Sequence, residues 1–272
     1  MRISAISYLN TAPLMWDFEN GSAGREFETA YTVPSQCAAE LQEGTADIGI
    51  IPAAAYATIA DLSILPGVAI ASLQLVRSIL LVSEKPLEQI RTVALDSSSL
   101  TSVALVRILF QKFWGGDRLY SSVPPDLRQM LNQHDAALLI GDPALKVDRS
   151  RYRSWDLAEE WIRCTGKPFV FAFWAVRNEA LRKTNLDLAT IFQESRDHGL
   201  LPRSLDRIAE TWAPKLGLSE QAVREYLTIN IHYFLDQSCI DGLRLFYRYA
   251  AECKVLPAAP ELCFAESKPA LT

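Results

Sequence analysis

"EFETAYTVPSQCAAELQEGTADIGIIPAAAYATI", residues 26–59, holds the pattern that decides the fold. Residues 26–34 alternate as a strand does, Ser35 stands where a helix cap belongs, and the following run closes at Gly44 as helices do. Residues 46–59 then give a short apolar strand halted at Pro52. Upstream, "SAISYLNTAPL" (4–14) reads as another buried strand stopped by Asn10, Thr11 and Pro13. "PLMWDFE" (13–19) opens with a proline suited to a first helical turn. The order β-α-β-α-β is the signature of a parallel or mixed sheet, so the chain is expected to be α/β.

The series then starts again. "SILLVS" (78–83) is a strand, "TVAL" within 84–114 another, "DSSSLTS" (96–102) a turn, and "SVALVRILFQKFW" a helix. "AALLIGDPAL" (136–145) is a buried strand ending in a polar turn. "TGKPFVFAFWAVR" (165–177) is an apolar run able to bring the chain back, and Asn178 to Leu256 has helical spacing nearly throughout. Two lobes are expected: residues 1–87 with 173–272, and residues 88–172. Two crossings imply a cleft between them.

Length agrees, since 272 residues exceed the roughly 100 to 200 of one ordinary domain. With 27 Lys and Arg against 32 Asp and Glu, the net charge of −5 argues against a nucleic-acid surface. No stretch approaches the roughly 18 consecutive apolar residues of a membrane span. The N-terminal "MRISAISYLN" lacks an uninterrupted apolar region or a small-residue cleavage site, so a cytoplasmic location is expected. The five cysteines are widely spaced, with no C-x-x-C and no Cys/His spacing that suits a metal, and reduced thiols are expected.

Open α/β sheets bind ligands at the carboxyl ends of their strands. That makes Asn10, the run Ser97, Ser98, Ser99, Thr101 and Ser102, and the pair Gly141 and Asp142 the candidate contacts. The Ser/Thr run is either an anion site at a helix start or an over-supplied cap. "GDP" is either a bare turn or a means of orienting a ligand hydroxyl. Arg77 either pairs with a carboxylate or faces solvent. Tyr8 and Pro52, beside these strand ends, join the expected substrate contacts, and Phe171 or Trp174 is placed to wall an apolar pocket. His134, His198 and His232 lie away from the strand ends, and no nucleophile elbow, phosphate loop or H-E-x-x-H occurs.

The segments "ISYLNTAPL", "TADIGIIPAAAY", "VRSILLVS", "LDSSSLTSVALVRILF", "ALLIGDPAL" and "TGKPFVFAFWAV", in this order, resemble the chorismate dehydratase family of menaquinone biosynthesis by the futalosine route. The resemblance runs from residue 1 to about 250. It implies a two-lobed fold similar to type II periplasmic solute-binding proteins, with a central cleft and a helical C-terminal segment. It also implies a cytoplasmic enzyme that removes water from chorismate without a cofactor or metal. Carried onto this sequence, it makes Asn10 and Ser78 the catalytic residues and the Ser/Thr and "IGD" turns cleft walls. A solute receptor of the same fold, or the sister enzyme acting on a cyclic futalosine derivative, are the competing readings. The Pro- and Ala-rich tail after Leu256 is expected to be poorly ordered.

Overall fold

The computed structural model describes residues 1–21 and 23–266. The strands are β1 (Arg2–Ile6), β2 (Glu28–Thr32), β3 (Ile48–Pro52), β4 (Leu62–Ser72), β5 (Ile79–Ser83), β6 (Thr92–Asp96), β7 (Leu119–Val123), β8 (Ala136–Ile140), β9 (Arg153–Asp156) and β10 (Phe169–Arg177). They form two five-stranded sheets, ordered β2-β1-β3-β10-β4 and β7-β6-β8-β5-β9. In the first, β1 runs parallel to β2 and β3 while β10 is antiparallel to β3 and β4. The second repeats this arrangement, with β6 parallel to β7 and β8 and β5 antiparallel to β8 and β9. In each sheet the antiparallel fourth strand is the first one reached after the chain crosses over. The expected two-lobed α/β architecture is therefore present.

Burial explains why these runs form central strands. β3, β5 and β8 are buried at every position, as near-continuous apolar runs covered on both faces should be. Edge strands β2 and β7 alternate between half-buried and exposed residues.

Several local expectations shift. β5 pairs within the second sheet, so the first crossing lies at 73–78 rather than near residue 88, and β10 already belongs to the first sheet at Phe169, ahead of residue 173. Local pattern cannot show this, because the partners of β5 are β8 and β9, far downstream. The helix Pro34–Glu43 takes Pro34 in its first turn and has no side-chain cap, so Ser35 is not its cap, although Gly44 ends it at φ 78° as expected. Sequence pattern also left β4, β7 and β9 unassigned.

One carboxylate secures the first crossing. Asp156, 1% exposed, accepts the backbone N–H groups of Val76 at 3.1 Å and Arg77 at 2.6 Å, and those of Ala158 and Glu159 at 3.1 and 3.2 Å. It thus ties the linker to the start of the helix Leu157–Thr165 while Arg77 adopts a left-handed φ of 63°.

The helical C-terminal segment closes over the first lobe. Helix Leu188–Gly199 packs on the turn that follows β1, where a Cβ on Gly199 would stand 1.9 Å from the Pro13 carbonyl oxygen. Helix Gln237–Glu252 packs on β10. The tail is ordered further than expected: Ile64 N–H donates to the Cys263 carbonyl at 2.8 Å and Ala265 N–H to the Ile64 carbonyl at 2.9 Å, while residues 267–272 lie outside the described residues.

Candidate active site

The first wall of the cleft follows β1. The strand stops at Ile6, earlier than its sequence suggests, and a 3₁₀ helix, Leu9–Met15, carries Asn10, which is 9% exposed. Ser195 holds this turn from behind, its Oγ donating to the Leu14 carbonyl at 2.9 Å and accepting the Asp17 N–H at 3.0 Å. The other lobe holds it from in front: Leu9 N–H donates to Asp142 Oδ1 at 3.1 Å. The Tyr8 ring lies over Gly141, whose φ of 60° suits glycine and whose Cβ, if present, would stand 2.5 Å from that ring. The Tyr8 hydroxyl lies 3.3 Å from Ser98 Oγ, and burial raises its pKa, so it stays a neutral phenol.

The second wall follows β6. Asp96, fully buried, accepts Ser98 N–H at 2.9 Å, the Ser98 hydroxyl at 2.6 Å and Ile140 N–H at 3.3 Å, which folds the Ser/Thr turn back on its own strand. Burial raises the pKa of Asp96 despite these bonds. The helix Thr101–Lys112 then begins with no side-chain cap, so its leading N–H groups keep their hydrogen-bonding capacity. The Thr101 hydroxyl is already committed, accepting Ala54 N–H and donating to the Phe171 carbonyl, both at 3.0 Å. It is a strut between the lobes.

Between the walls lies a cleft lined from both lobes, its surface largely apolar with a few convergent polar groups, as small-molecule sites are. Of the residues expected there, Tyr8, Asn10, Pro52, Ser78, Ser99, Thr101, Ser102, Gly141 and Phe171 line it. Arg77, Ser97, Ser98 and Asp142 do not: Arg77 sits on the crossing with its N–H on Asp156, Ser97 is exposed, and Ser98 and Asp142 are turned into the bonds that brace the two walls. Trp174 packs on Phe192 instead, with ring centroids 4.8 Å apart. Apolar contacts from Ile6, Pro34, Ile70, Ile79, Leu100, Ile140 and Ala172, none of them expected from the sequence, complete the lining.

Among the described residues, no Asp, Glu, Lys, Arg or His lines the cleft. The histidines are engaged elsewhere, His134 with the Met130 carbonyl, His198 with Asp17 and His232 with Asp236. The cysteine spacing gave no hint that His232, Asp236 and Cys239 bring donor atoms within 4.8 Å of one another. Asp236 there caps the last helix by accepting Cys239 N–H at 2.9 Å, and a helix start is unfavourable ground for a cation.

Behind Ser78 stands a residue that sequence reading missed. Tyr226, 1% exposed, donates its hydroxyl to Ser78 Oγ at 2.8 Å. The only sequence signal was an aromatic in a helical run, which ordinarily means core.

The family model described as menaquinone biosynthesis matches residues 1–252. Chorismate dehydratase of Thermus thermophilus is 32% identical over 202 residues, covering 68% of this chain and 70% of that protein. Among solved structures, a protein of Archaeoglobus fulgidus superposes with a TM-score of 0.70 at 17% identity, over 94% of this chain and 97% of that one. The periplasmic aliphatic sulphonate binding protein of Escherichia coli does so with a TM-score of 0.67 at 17% identity, over 96% and 95%. These two likenesses establish a periplasmic-binding-protein-like fold and nothing finer. With the family model spanning both lobes and every element of the cleft, the chain belongs to the menaquinone biosynthesis family.

Proposed function

We propose that the protein is a chorismate dehydratase, a hydro-lyase that converts chorismate to 3-[(1-carboxyvinyl)oxy]benzoate and water. The observation that carries this reading is the chemistry of the cleft: hydroxyls, an amide and an uncapped helix start, with no acidic or basic side chain among the described lining residues. Such a site suits a reaction whose driving force and base both arrive with the substrate.

Chorismate brings both. Removing the proton from the ring carbon that bears the enolpyruvyl ether, with departure of the neighbouring hydroxyl, makes the ring aromatic. The C–H electron pair becomes ring π density, the C–O pair leaves with the oxygen, and the proton ends on that oxygen as water. The substrate's own enolpyruvyl carboxylate serves as the base that carries the proton. The protein's part is orientation and preorganised hydrogen bonding.

The roles divide between the walls. The ring carboxylate sits at the start of helix Thr101–Lys112, where backbone N–H groups and the helix dipole favour an anion, joined by the Ser99 and Ser102 hydroxyls. Pro52 and Phe171 sandwich the ring, and Asn10 and Ser78 meet the reacting oxygens. Purified protein mixed with chorismate alone, followed by ultraviolet absorbance and product mass, tests this. Loss of one water with appearance of an aromatic enol ether is expected; chorismate that binds and is recovered unchanged would make the protein a receptor.

A further inference from the structure

We propose that Tyr226 is a positioning residue of the cleft, fixing the polarity of Ser78 so that Ser78 presents a proton, and not a lone pair, to the bound substrate. The inference deepens the dehydratase reading and rests on it for the substrate. It does not rest on it for the hydrogen-bond chain.

Tyr226 opens a π-helical turn, Tyr226–Asn230, that continues the helix Glu220–Glu225. Ile231 N–H bonds the Tyr226 carbonyl five residues back at 3.2 Å, and Asn230 Nδ2 anchors the turn to the crossing through the Leu75 carbonyl, also at 3.2 Å. Such turns are rare and concentrate at functional sites, because the extra residue redirects one side chain. Here it places a phenol beside Ser78, the residue just before β5, which lines the cleft and is otherwise fully buried.

Polarity follows from counting protons. Burial pushes the Tyr226 phenol up, so the group is neutral and owns one proton. The phenol's proton goes to Ser78 Oγ, 2.8 Å away. With that lone pair filled, and no protein acceptor for the Ser78 hydroxyl among the described residues, its proton faces the cleft. The chain runs Tyr226 to Ser78 to ligand, and the ligand oxygen is one that gains negative charge as the C–O bond opens. A donor fixed in advance stabilises that charge without reorganising.

Four full-length variants test the chain: Tyr226→Phe, Ser78→Ala, the double variant, and Tyr233→Phe. Tyr233 is a second fully buried tyrosine on the same segment, and its hydroxyl has no partner among the described residues, so its loss is the control for removing a buried hydroxyl. Tyr226→Phe is expected to lower kcat about ten- to hundredfold with KM changed less than about threefold, somewhat less than the ~10²–10³ of a direct donor. In the Ser78→Ala background it is expected to cost nothing further, because its effect passes through Ser78. Tyr233→Phe is expected to keep wild-type kcat. Full kcat in Tyr226→Phe, or an equal loss in both backgrounds, would overturn the proposal.

Urea unfolding of the ligand-free proteins supplies a readout independent of turnover. The midpoint shifts of the two single variants are expected not to add, and additive shifts would remove the Tyr226–Ser78 bond and the proposal with it, whatever the protein acts on. A wild-type protein that leaves chorismate intact sinks the dehydratase reading instead; non-additive midpoints would still uphold the Tyr226–Ser78 bond.

Discussion

The two walls of the cleft are braced by different chemistry, the first by a hydroxyl behind it and a carboxylate across the lobe boundary, the second by a carboxylate of its own strand. The second-lobe wall, the Ser/Thr turn after β6, is pinned by Asp96 of its own lobe, which accepts from Ser98 and Ile140. The first-lobe wall, Tyr8 to Asn10, is held from behind by Ser195 of its own lobe and from in front by the opposite lobe through Asp142, Gly141 and Ser98. Further bonds cross at the second wall, Ser35 N–H to the Ser98 carbonyl at 3.1 Å and the two bonds of the Thr101 hydroxyl to Ala54 and Phe171. The fold of the Ser/Thr turn is thus set by a carboxylate within its own lobe, while Thr101 ties the start of the following helix to the first lobe. The wall carrying Asn10 is braced from both sides, so part of its support depends on contact between the lobes.

Breaking the internal brace should have the largest effect. Asp96→Ala leaves buried donors on Ser98 and Ile140 without an acceptor, and each such loss costs about 1–3 kcal/mol. A destabilisation of about 2–4 kcal/mol is expected in urea unfolding, with chorismate turnover lost. Asp142→Ala, which orphans one N–H at the lobe boundary, should shift the midpoint far less. Equal shifts from the two would erase the contrast.

Gly141→Ala attacks the outer brace and comes next. The new methyl would meet the Tyr8 ring at 2.5 Å on a backbone of positive φ, so the ring must move and the walls part. Misplacing a site by about 1 Å can cost about 10²-fold, and a drop of that order in kcat/KM is expected, with stability lowered by only about 1–2 kcal/mol. Steady-state kinetics beside an unfolding curve separates the two. A variant that loses stability and keeps kcat/KM would show that Tyr8 has no part in the wall.

How much of this was legible depends on range. The lobes, the return through Phe169–Arg177 and the helical C-terminal segment follow from runs of apolar residues that announce themselves locally. Asn10 and the Ser/Thr turn could be named because polar residues interrupt those runs at strand ends, whereas Ser78 was named only through the family resemblance. What was hidden is pairing across the chain. Nothing near Asp142 tells that its carboxylate reaches Leu9, and nothing in "EYLTIN" tells that Tyr226 touches Ser78, 148 residues away. The same limit misplaced the first crossing, since the partners of β5 come later in the chain.

The gentlest probe of the contrast is Asp142→Asn, and pH sharpens it. Burial raises the pKa of Asp142 above its ordinary value, against the Leu9 bond and the charge of Lys146, which both lower it. The folded protein therefore holds this proton more tightly than the unfolded chain does. A carboxyl of this kind contributes stability that is present below its unfolded pKa of about 3.9 and is lost as pH rises through the raised folded value. Asparagine cannot titrate, so the stability of the wild type relative to Asp142→Asn should fall as pH rises from about 4 toward neutrality, the reverse of the trend for a salt-bridged aspartate. Urea midpoints across that range read the sign, and the absolute change at neutral pH should stay within about 1 kcal/mol, since Asn keeps an acceptor for Leu9 N–H. A relative stability that grew with pH would mean that the bond from Leu9 outweighs desolvation. The first wall would then be held by a charge-assisted bond made only on closure, and the closed state would gain stability with rising pH where the internally braced second wall would not.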